Sequence, residues 1–133
     1  MSAILEDART ELQSRCDVVE ECYEYMLAYA GQGTVTEGPQ IRGFMRRGEE
    51  AIAALVEFST KFGRELKAVA PQYAAFLDVV GGDARASRAA VQLVLAQSAI
   101  SSQIVDNLNA SIHLRALLTD LFLLDEALKK IDG

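Results

Sequence analysis

The chain has no tryptophan, two prolines, two cysteines and one histidine in 133 residues, and several of these scarcities exclude a class of protein. Two cysteines rule out a disulfide-built scaffold. Cys16 and Cys22 are six residues apart on a predicted helix, about 120° apart around its axis and too far apart along it to bridge each other. They read as reduced thiols, with Cys16 in the core. A single histidine and no CxxC pair leave too few ligands for a zinc or histidine-rich centre. A di-iron bundle needs Glu-x-x-His on two helices, whereas the residue three before His113 is Ala110. There is no GxSxG, Cys-His pairing, phosphate loop or dinucleotide fingerprint. Missing motifs weigh against an enzyme without excluding one, and the expectation is a protein with no cofactor or metal.

Long apolar runs are also missing near the start, where charges interrupt ILEDARTELQSRCDVVEE throughout. That stretch fits neither a secretory core nor a membrane span, and the expected location is the cytoplasm. The net charge of −6 repels polyanions, so nucleic acid is not an expected partner.

Half of the residues are apolar, enough for one core in a single domain spanning residues 1–133. From Ala3 to Ala30, Leu5, Ala8, Leu12, Cys16, Val19, Tyr23, Met26 and Ala30 keep the three-and-four spacing of one helix face. Val18, Cys22, Tyr25 and Tyr29 form a secondary strip beside it, with the tyrosine hydroxyls reaching water. Gly31 and Gly33 end this helix. A second helix runs from Pro39 to about Val69 through Gly63, and Gly48 on its buried stripe marks a close approach to a neighbour. Residues 71–97 read as a helix broken near Gly81-Gly82, with Asp83 capping its second half, and a last helix runs from Ser101 or Ser102 to Ile131. The expected architecture is all-α, a four-helix up-and-down bundle.

The last helix carries two apolar stripes. One holds Ile104, Leu108, Ile112, Leu118 and Phe122; the other holds Leu114, Leu117, Leu121, Leu124 and Leu128. The segment before it, ARASRAAVQLVLAQSAI, is apolar on most sides. One core needs only one such stripe, which predicts a homo-oligomer, a dimer through helices three and four, with the leucine stripe as its interface.

Toward its beginning the leucine stripe becomes polar, through Ser102, Asp106, Asn109 and His113. An inward orientation would make Asp106, Asn109 and His113, with Arg115 nearby, a ligand-binding site; an outward one makes them solvated surface. Arg115 among apolar neighbours requires a partner or a rim position. Arg42, Arg46 and Arg47 form a basic patch that, with Glu50 following Arg46 by one turn, reads as a salt-bridged surface. The leading expectation for function is a non-enzymatic interaction or adaptor protein. The alternative is a small-molecule- or metal-binding bundle, an enzyme among its possibilities, with a polar site around Asp106, Asn109 and His113.

Overall fold

The computed structural model describes residues 2–131, which contain five helices and no strand: α1 (Ser2–Ala30), α2 (Ile41–Leu66), α3 (Pro71–Leu95), α4 (Ser102–Ala110) and α5 (His113–Ile131). Neighbouring rods run antiparallel. Gly48 of α2 lies against Cys22 of α1, Gly81 of α3 against Ser59 of α2, and the Tyr73 hydroxyl of α3 donates to the Ala127 carbonyl of α5. α4 and α5 both pack on α1 and α3, which closes the ring around one core.

The break expected in the third helix lies in the fourth rod instead. α3 continues through Gly81 and Gly82 because Gly81 is a packing residue: a Cβ there would come within 2.6 Å of the Ser59 Oγ. Asp83 accordingly sits in mid-helix and caps nothing. The last rod divides at Ser111 and Ile112, where Ile112 takes the left-handed conformation (φ 63°). Ile112 N–H donates to the Asn109 carbonyl, and its own carbonyl accepts from Ala116 N–H, so one residue ends α4 and begins α5.

α2 stops at Leu66, short of Val69. Ala70 precedes Pro71, whose ring disfavours helical angles at the residue before it, and Ala70 lies outside the helical region (φ −147°, ψ 71°). Val69 is left exposed. In α1 the buried line runs through Leu5, Ala8, Leu12, Cys16, Val19, Cys22, Met26 and Tyr29, so Cys22 and Tyr29 replace the expected Tyr23 and Ala30. The seam follows a near-heptad period, which drifts from a straight-helix stripe. Gly48 supplies the space that Cys22 fills, its absent Cβ leaving room for the Cys22 sulfur.

Candidate interaction face

At one end of the bundle the loops 31–40 and 96–101 are tied to each other by buried polar groups. Tyr29 is 1% exposed, and its hydroxyl donates to the Ile100 carbonyl while accepting from Gly38 N–H. Ser102 N–H donates to the Thr34 carbonyl at 2.9 Å, Thr34 N–H to the Ser102 Oγ at 3.0 Å, and the Ser102 hydroxyl to the Tyr29 carbonyl at 2.7 Å. Arg42 leaves the expected basic patch for this end. Its guanidinium donates to the Leu95 and Gln97 carbonyls and pairs with Glu37, which also accepts from Ile100 N–H. The Arg42 pairing holds the Glu37 carboxyl below the ordinary range and raises Arg42 in turn. Arg47 lies over the Phe44 ring at 4.6 Å, and that ring stacks on Tyr25. These contacts fix the ends of α2, α3 and α4 relative to one another.

The polar cluster of the last rod does not converge. Asp106 is exposed and faces the loop around Thr34 and Val35. Asn109 is half-buried and donates to the Met26 carbonyl at 3.3 Å. His113 is exposed at the start of α5, and Arg115, also exposed, lines a separate shallow depression with Ile112, Ala116, Thr119 and Asp120. The left-handed turn at Ile112 rotates everything after it relative to Asp106 and Asn109, which a single straight helix would have kept in line. Among the described residues, no group of three or more His, Cys, Asp or Glu side chains is placed to hold a metal ion. Both cysteines are free and buried, and burial raises the Cys16 and Cys22 thiols to about 11 and about 12. At neutral pH neither is a nucleophile.

The two stripes of the last rod are resolved by the same rotation. Leu114, Leu117, Leu121, Leu124 and Leu128 are all buried within the chain's own core, which corrects their assignment as an exposed interface. Of the other stripe, Leu108 and Leu118 are buried, while Ile112 and Phe122 are exposed.

The unpartnered apolar surface lies elsewhere. On the side of α3 opposite the core, Ala75, Val79, Gly82, Ala86, Ala89 and Leu93 follow one another at alternating four- and three-residue intervals. Val79 is 48% and Leu93 65% exposed, and nothing lies within 4 Å of where a Gly82 Cβ would be. Beside it on α5 are Ile112 (60% exposed), Ala116 and Leu123 (58%). Dividing α3 at the two glycines hides this line from a sequence reading, because each half then holds only three of its members. The signal was the unbroken spacing through Gly82.

Asp120 of α5 and Asp83 of α3 meet across the joint between these two helices. Burial, then the hydrogen bond and the charge of Asp83, lift the Asp120 carboxyl to about 7. The Asp120 Oδ2 is buried and has no hydrogen-bond partner.

No protein-family profile, curated protein or solved structure matches this chain.

Proposed function

We propose that this chain is a non-enzymatic interaction protein that acts as a homo-oligomer through the outer face of α3 and α5. The observation that carries the reading is the unbroken line of small and apolar residues on the outer side of α3, with Ile112 and Leu123 exposed and Ala116 partly exposed on α5 across the Asp83–Asp120 joint. Scattered exposed apolar residues are ordinary on a monomer, but a line of small and apolar residues along the whole outer side of one helix is a mark of an interface. Ile112 adds to it. A β-branched residue in the left-handed region costs roughly 1–2 kcal/mol, and at 60% exposure Ile112 recovers little of that from the chain's own core. The free thiols fit a reducing compartment, in keeping with a cytoplasmic protein, and the net charge of −6 directs the reading toward protein rather than nucleic-acid partners.

The test is the solution mass. Light scattering on the eluting protein at micromolar concentration gives a multiple of 14.5 kDa, and the double substitution Val79→Glu with Leu93→Glu returns it to the single-chain value with helicity unchanged, since both side chains are already exposed. A monomer at concentrations up to about 100 μM, with no change on substitution, overturns the proposal.

A further inference from the structure

The outer line of α3 also states which partner fits it and in which direction. Read from its centre, the line has small residues at Gly82 and Ala86 and at Ala75 and Ala89, and larger ones at Val79 and Leu93. If a second α3 is laid against it antiparallel about a two-fold axis level with Ala84, Leu93 falls opposite Ala75 of the second copy, Val79 opposite its Ala89, and Gly82 opposite its Ala86. Every larger side chain meets a small one, and the same three pairs recur on the other side of the axis. A parallel arrangement instead sets Leu93 on Leu93, Val79 on Val79 and Gly82 on Gly82, which leaves bulk against bulk and a gap at the middle. Self-complementarity of this kind is what an isologous interface requires, each residue contacting a different one that contacts it in return. It distinguishes a second copy of this chain from an unrelated helix.

The size of the face agrees. α3 has 25 residues and is therefore about 37 Å long. With α5 beside it at an ordinary helix spacing, the outer side of the two helices, Thr119 and other polar positions included, measures on the order of 700 Å², close to the roughly 800 Å² that each partner contributes to a stable complex. α3 alone would provide about half of that, so α5 has to take part, with Ile112, Ala116 and Leu123 closing over the flank of the opposing α3.

We infer that the homo-oligomer is a two-fold dimer in which α3 packs antiparallel against α3 of a second copy, with Leu93 seated on Ala75 and Gly82 on Ala86. This inference rests on the self-association proposed above and fixes its geometry. The antiparallel register places Ala75 next to Leu93 of the other chain but about 27 Å from the other Ala75, and the same separation keeps two Leu93 positions apart.

The experiment uses two full-length variants, Ala75→Cys and Leu93→Cys, both at exposed positions. Each is oxidised alone with copper-phenanthroline, then after mixing and re-equilibration with the other, and the solution mass is measured on the same samples before oxidation. The native thiols are buried, and the unsubstituted chain sets the background. The expected result is a dimer mass for the unsubstituted chain, cross-linked dimer in the mixture at least ten times that in either variant alone, and a 75-to-93 disulfide in its peptide map. Cross-linking of either variant by itself would establish a parallel arrangement and overturn the register. A dimer mass with no cross-link in any sample would overturn the α3 contact while leaving self-association standing. A monomer mass for the unsubstituted chain and both variants overturns both.

Discussion

At Gly48 one missing methyl group decides how closely two helices approach. A Cβ built there meets the Cys22 sulfur at 2.6 Å and its Cβ at 2.9 Å, and neither atom sits at the end of a flexible side chain. Gly48→Ala should therefore push α1 from α2 and destabilise the protein by about 1–3 kcal/mol, even though alanine is the better helix former. A urea titration measures this as a lower midpoint; an unchanged or higher midpoint would mean that the contact relaxes freely. The close approach was legible from the sequence, because a glycine on an otherwise bulky buried stripe has to leave room for something. Its occupant was not: Cys22 sat on the secondary strip of α1 as long as a straight-helix period was assumed. The hydroxyl of Tyr29 shows the same limit. An aromatic side chain near a helix end is readable as apolar mass, but the carbonyl of Ile100 that receives its proton lies 71 residues away in the chain.

Among the elements, the informative one is the last rod. Glycine is the expected punctuation of a helix, yet the paired glycines of α3 lie inside it, and the break falls at an isoleucine. The sequence before Ile112 has turn-favouring residues in Asn107, Asn109 and Ser111 but no glycine or proline, so the apolar spacing of a continuous helix outweighed them. Ile112 occupies the left-handed position that usually ends a helix with glycine. Ile112→Gly should accordingly raise the unfolding free energy by about 1 kcal/mol, measured at a dilution where only single chains are present. A loss of stability would show that the Ile112 side chain contributes more to the fold than its exposure implies. The break also explains the fate of the polar cluster. Asp106, Asn109 and His113 align on one helix drawn straight, whereas in two helices joined by a left-handed residue they point to a loop, a backbone carbonyl and solvent.

On the scale of the whole molecule, the Asp83–Asp120 contact links the α3–α5 joint to pH. The folded Asp120 carboxyl is raised from the ordinary 3.8 to about 7, so between those values the folded chain binds more protons than the unfolded one. Its contribution is fully present below about pH 4, declines as pH rises, and is lost above about pH 7. Asp120→Asn keeps a donor for Asp83 at every pH. The variant should gain stability over the parent at pH 8 relative to pH 5, read from urea midpoints at both values. Equal differences at the two pH values would show that Asp120 ionises without regard to Asp83. Among the described residues no helix is long and apolar enough to cross a membrane.

The sequence by itself determined the helical class, the approximate extent of each rod, the reduced thiols and the close approach at Gly48, because these follow from spacing and residue type within one segment. It also raised the expectation of more apolar surface on the last two rods than one core covers, resting on a leucine stripe that the chain's own core takes up. Which apolar residues face solvent was decided only by the tertiary structure. Rotation of a helix about its own axis is set by the neighbours it meets, and the turn at Ile112 rotates α5 so that the leucine stripe from Leu114 to Leu128 fills the core. That burial leaves the outer line of α3, uninterrupted once Gly81 is seated against Ser59, as the apolar face turned to solvent.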